Sequence, residues 1–157
     1  MTRARGRAPR GERVAGAVPN SHWSTVTMIG ALRLEGVAAA ATVDAATDAP
    51  IFRSFVTDAL VPALRRGDVV AWDGLAPHKA AGVEEAVRAA GATLLPLPPY
   101  SPDLSPIEPM WSKVKQALRG AEARTPDALG EAAADAFASV TADDARGWFG
   151  QCGFGVH

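Results

Sequence analysis

A single cysteine, Cys152, rules out an internal disulfide in this 157-residue chain and suits a reducing cytosol. With three histidines beside it, no His/Cys cluster of the kind that binds zinc can be assembled. Long apolar runs are missing too. The most apolar stretch, Val37 to Val43, falls well short of the about 20 residues that a membrane-spanning helix needs. The arginine-bearing N-terminus is not followed by an apolar segment, which excludes a secretory signal. A soluble cytoplasmic protein with no membrane partner is expected. A glycine-rich phosphate loop of either common spacing is absent, which counts against a small domain built to hold a nucleotide or phosphate. Neither sign of charge dominates: the net charge is −1 and 21% of residues are charged. Any nucleic-acid surface must therefore be a local patch. Lysine is scarce, with only Lys79, Lys113 and Lys115.

The length suffices for one domain with a core. Arg3, Arg5, Arg7, Arg10 and Arg13 crowd the first thirteen positions against one acid, Glu12. Glycines and prolines break residues 1–22 into an irregular basic arm, and residues 23–154 form the domain. A strand is expected from Trp23 through Leu32, then a turn at Glu35-Gly36 and a second strand over Val37 to Val43. Ile51 to Leu64 has helical spacing, with Pro62 distorting its last turn. Asp68 to Trp72 reads as a short buried strand, His78 to Ala90 as a helix, and Thr93 to Leu97 as another strand. Ser105 caps a helix with Pro106 in first position and an apolar stripe of Ile107, Met110 or Trp111, Val114 and Leu118. Thr125-Pro126 opens another helix, and Thr141 caps a last one. Helices joining the later strands point to an α/β fold with parallel pairing there.

Two carboxylates stand out by position. Asp73 follows the Asp68 to Trp72 strand, at the edge where open α/β sheets bind ligands. Glu108 sits in the first turn of a helix, where the dipole favours negative charge. Oxygen donors in such an arrangement suit a hard cation whose remaining sites are filled by water and phosphate oxygens. Plainer readings of the same residues stand beside this one. Asp73-Gly74 is a common turn pair. Glu108 completes a capping box with Ser105. His78 fits a helix start, the arginines a solvated arm, and Lys113 with Lys115 an exposed helix face.

The segment from Leu97 to Lys115, with its Ser-Pro-Asp-Leu-Ser-Pro-Ile-Glu core and following Lys-Val-Lys, resembles the signature around the last acidic residue of DDE-type transposases. The resemblance is to the bacterial insertion-sequence group related to mariner. Val69-Val-Ala-Trp-Asp73-Gly-Leu-Ala-Pro-His78-Lys79 resembles the strand that bears the second acid. The 34 residues between Asp73 and Glu108 (positions 74 to 107) match the spacing of that group. The resemblance implies an RNase H-like α/β fold, a mixed sheet flanked by helices, as in retroviral integrases. It implies Asp73 and Glu108 as metal ligands and catalytic residues, His78 as a supporting residue, and two magnesium ions, with manganese able to substitute. It also implies phosphoryl transfer on DNA, with Arg3, Arg5, Arg7, Arg10, Lys113 and Lys115 as candidates for phosphate contacts.

The sequence departs from that pattern twice. Gly74 stands where the group usually has Asn. By that resemblance the first acid belongs to a central strand preceding the Gly6 to Gly11 segment, and Met1 to Arg5 contain no acid. The first central strand is thus expected to be missing, leaving strand neighbours without ladder partners and the chain inactive alone. A homodimer or an upstream fragment of the same transposase is the expected protein partner. The alternative is a non-catalytic DNA-binding or multimerising remnant.

Overall fold

The computed structural model describes residues 6–14 and 25–155, the side chains of Pro77 and Lys79 excepted. The arm boundary expected at residues 22 and 23, and the Trp23 start of the first strand, lie outside these residues. Strand β1 (Thr27–Arg33) and strand β2 (Gly36–Val43) form an antiparallel hairpin. Gly36 closes its turn at φ +123°, a backbone conformation that side chains disfavour, and a Cβ there would stand 3.2 Å from the Val140 carbonyl oxygen. The register shifts between Ala31 and Leu32, which pair with Ala39 and Val37 and leave Ala38 as the extra residue of a bulge. The bulge lets β2 change faces. Val37 packs with Met28 and Leu32 against one core, whereas Ala39 and Ala41 pack with Ile29 and Ala31 against another.

The first core is completed by α1 (Ala49–Phe55), a π-helical turn over Val56–Leu60, and α2 (Val61–Ala63). The sequence places distortion near Pro62, and the structure shows its form. Pro62 has no N–H and its ring crowds the carbonyl one turn back. The chain widens just before it, so that Val61 N–H bonds to Val56 O. Strand β3 (Val69–Trp72) pairs in parallel with β4 (Thr93–Pro96), and α3 (Val83–Ala89) lies between them in sequence. The second core belongs to α4 (Ile107–Ala121), α5 (Pro126–Ala138) and α6 (Ala142–Gln151), around Met110, Val114, Leu118 and Phe137. The hairpin is thus the middle layer between two sets of helices.

Three expectations need correction. Strand β3 is not buried: Val70 and Trp72 face the first core, but Val69 is 61% exposed. Only one face of the β3–β4 pair is covered, so an apolar run expected to be buried on both faces alternates instead. The helix expected from His78 starts only at Val83, after Gly82 at φ +85°, and His78 lies in a separate 3-10 turn, Ala76–Lys79. Ser105 does not cap α4 with its side chain. Its backbone is extended, and it offers its carbonyl oxygen to Glu108 N–H at 3.1 Å.

The strands form two pairs, β1–β2 antiparallel and β3–β4 parallel. They are linked at one end by Arg33, whose Nη2 lies 2.7 Å from Asp68 Oδ2, and by Arg65–Glu35 at 3.0 Å. Both pairs are partly exposed, so solvent screens them and they add little stability. The Arg65 hydrogen bond holds the Glu35 carboxyl below its ordinary range.

Candidate active site

Strand β3 ends at Trp72 and delivers Asp73 to the carboxyl edge of the parallel pair, where Leu97 N–H bonds to Trp72 O at 2.8 Å. The chain then turns sharply. Leu75 N–H donates to Asp73 Oδ1 at 3.1 Å, and the 3-10 turn brings the His78 ring back over Asp73. His78 Nδ1 lies 2.8 Å from Asp73 Oδ1 and 3.1 Å from the Asp73 carbonyl oxygen. Both neighbours are acceptors, an arrangement that the Nδ1–H tautomer satisfies. The imidazole rests on Phe52, ring centroids 4.5 Å apart, and on Trp72 at 5.6 Å. Its side chain is 19% exposed, against 56% for Asp73. Among the described residues Asp73 Oδ2 has no hydrogen bond. The turn reading of Asp73 thus accounts for one carboxylate oxygen and leaves the other open.

Glu108 is exposed in the first turn of α4, which closes the connection leaving β4. The capping-box reading fails for it, since no side-chain cap is made at this helix start. Its carboxylate has no hydrogen bond or ion pair among the described residues. Helix α4 is seated on the hairpin by Met110 and Trp111, whose side chains approach Gly30 of β1.

The sequence profile of the DDE superfamily endonucleases matches residues 1–130. The chain belongs to this family. Solved structures with the same fold include a pre-cleavage Mos1 transpososome (TM-score 0.71, 16% identity) and the Mos1 strand transfer complex (TM-score 0.71, 17% identity). A third is Mos1 transposase in a paired-end complex with the left transposon end (TM-score 0.72, 16% identity). Each match covers 98% of this chain and 46–47% of the transposase chain. The chain thus spans about half the length of these structural relatives. A comparison with curated proteins finds no match. The fold of this DDE superfamily endonuclease is RNase H-like.

The basic residues of the chain divide by environment. Lys113 forms an ion pair with Asp144, tying α4 to α6. The Lys113 hydrogen bond, then those from Thr141, hold the Asp144 carboxyl down at about 2. Lys113 is therefore engaged within the fold. Lys115, Arg7 and Arg10 are exposed, while Arg3 and Arg5 lie outside the described residues. No group of three or more His, Cys, Asp or Glu side chains able to hold a metal occurs among the described residues. Asp73 Oδ2 and the Glu108 carboxylate are oxygen atoms without a hydrogen-bond partner among the described residues, the atom type that a hard divalent cation takes. Two surface grooves, between α4 and α5 and between β2 and α1, include none of Asp73, His78 and Glu108. Sequence reasoning missed Phe52, the Leu75 N–H and Asp144, which meet their partners only through tertiary folding.

Proposed function

We propose that the chain is part of the catalytic domain of a DNA transposase and contributes two of its metal-binding carboxylates, Asp73 and Glu108. The observation that carries this is their state within a DDE superfamily endonuclease fold: each keeps carboxylate oxygen without a protein partner among the described residues. Two bound magnesium ions would supply the Lewis-acid polarisation and leaving-group stabilisation that phosphoryl transfer needs. The chain's own part is to present Asp73 Oδ2 and the Glu108 carboxylate from two rigid elements, one a strand end and the other a helix start. DNA as substrate is supported by the relatives, whose structures are of transposase in pre-cleavage, strand-transfer and paired-end complexes. Exposed Lys115, Arg7 and Arg10 are the candidate phosphate contacts, to which Arg3 and Arg5 add from outside the described residues; these give affinity and salt dependence rather than sequence choice.

The chain alone is inactive in this reading. A further extended strand bearing the first carboxylate inserts between β1 and β3, supplied by an upstream fragment or a second copy. Among the described residues both strands pair on one side only, and both pack on the first core. The test is a strand-transfer assay on DNA with magnesium, using this chain alone and with a transposase fragment bearing an acidic strand added. No product alone and product on complementation are expected; activity of the chain alone above its Asp73→Ala variant refutes the inactivity. Thermal unfolding adds a second measure. Magnesium at about 100 times its Kd should stabilise the wild-type chain by about 2.7 kcal/mol, and neither Asp73→Ala nor Glu108→Ala. The absence of a three-residue metal group among the described residues favours a second reading, a non-catalytic DNA-binding or multimerising remnant. An unfolding midpoint unmoved by magnesium would support that one.

A further inference from the structure

We propose that His78 is a positioning residue that fixes which oxygen of Asp73 faces a metal ion. This rests on Asp73 being a ligand, and it specifies how that ligand is aimed. A carboxylate on a strand end rotates about χ1 and χ2, and an unrestrained one spreads its two oxygens over many directions. Here Leu75 N–H and the His78 ring stand on one side of Asp73. Leu75 N–H holds Oδ1 at 3.1 Å, and His78 Nδ1 stands 2.8 Å from the same atom and 3.1 Å from the Asp73 carbonyl. The histidine thus bonds the Asp73 backbone while its Nδ1 stands beside Oδ1, so the carboxylate cannot swing Oδ1 away without losing that contact.

The imidazole is itself fixed. Phe52, 5% exposed, and Trp72 form a shelf beneath it, and their own rings pack edge-on at 5.9 Å. Phe52 comes from α1, Trp72 from β3 and His78 from the 3-10 turn, so the shelf ties the aim of Asp73 to the first core. With Oδ1 occupied, Oδ2 is the oxygen left for a cation. Partners of a metal ligand that orient it in this way typically contribute about 10- to 100-fold to metal affinity.

The test uses the full chain and manganese(II) as the probe, with affinity read from the electron spin resonance of free metal. Asp73→Ala should abolish binding at the site, and His78→Ala should weaken it about 10- to 100-fold. His78→Asn, whose amide N–H stands near the place of Nδ1, should recover most of that loss. His78→Gln, whose amide reaches towards Nε2, should not. A second readout needs no metal: long-range nitrogen–proton NMR of neutral His78 should show the Nδ1–H tautomer. Circular dichroism and urea midpoints establish that each variant is folded; if His78→Ala is not, the Asn and Gln pair carries the comparison. Loss of binding in Asp73→Ala with unchanged affinity in His78→Ala overturns the positioning role and leaves the ligand reading standing. Equal losses in the Asn and Gln variants, or an Nε2–H tautomer, overturn the positioning role as well. Wild-type affinity in Asp73→Ala, or no manganese binding by the wild-type chain, overturns the ligand reading and the proposal with it.

Discussion

Replacing Gly30 tests whether α4, and Glu108 with it, is held in place by close contact with β1. A Cβ on Gly30 would lie 3.4 Å from Met110 Cε and 3.5 Å from both Phe137 Cε1 and Trp111 Cη2. These are ordinary contact distances, and Gly30 is not among the glycines with positive φ. Alanine therefore fits, and it narrows the freedom of the unfolded chain by about 0.4–1 kcal/mol. Gly30→Ala should leave stability equal or raised by up to that amount. Valine places two further methyl groups where Met110, at 0% exposure, and Phe137, at 7%, already fill the space. Overpacking of this kind costs about 1–3 kcal/mol, and its easiest relief is displacement of α4. Gly30→Val should lower the urea midpoint at unchanged m-value, followed by tryptophan fluorescence, and should weaken manganese binding by misplacing Glu108. A Gly30→Val chain as stable as Gly30→Ala would refute the claim that α4 is closely seated.

The Asp144 carboxyl, held at about 2 by Lys113 and Thr141, has its folded-state value depressed. Its contribution is therefore complete above the unfolded value of about 3.9 and is lost as pH falls towards 2. The urea midpoints of wild type and Asp144→Asn should differ at pH 7 and converge near pH 2; a gap that persists at pH 2 would show that this carboxyl does not act through its charge. Amide hydrogen exchange addresses the open edge of β3. Thr93 and Leu97 N–H groups bond to the carbonyls of Asp68 and Trp72, so the backbones of Val69 and Ala71 turn to the opposite edge. Val69 and Ala71 amides should exchange much faster than those of Val70 and Trp72, and protection of all four would mean that the edge is already paired.

What was legible in the sequence was mostly local. The Thr125-Pro126 start of α5 and the Thr141 cap of α6 appear as read, each hydroxyl accepting from the backbone three residues on. The stripe of α4 buries Met110, Val114 and Leu118 as its spacing requires. Ser105 misled because the Pro102–Leu104 3-10 turn sets its backbone, so that its carbonyl rather than its hydroxyl meets the helix. His78 misled because Gly82 breaks the helical period and releases a turn that curls onto Asp73. Lys113 meets a partner 31 positions away, which helical spacing alone cannot indicate. The positions of Asp73 and Glu108 on a strand end and a helix start were readable. The shelf and the N–H groups that orient Asp73 were not, since they assemble from separate elements.

The same geometry bears on whether this sheet stands alone. A two-stranded parallel pair with one bare face is an unusual stable unit, because parallel strands depend on cover from both sides. Here Val69 at 61% and Leu95 at 45% exposure lie on the uncovered face, beside an edge with no ladder partner among the described residues. Such an edge attracts another strand. Strand β1 offers the matching open edge, and the Arg33–Asp68 pair holds the two sheets together at one end. One extended segment between them would satisfy both ladders at once, converting two weak pairs into a continuous sheet. Its end would also approach the carboxyl edge of β3, where Asp73 already presents an oxygen. Completing the sheet and completing the metal site are, on this argument, one event, so stability and metal affinity should rise together when that strand is supplied.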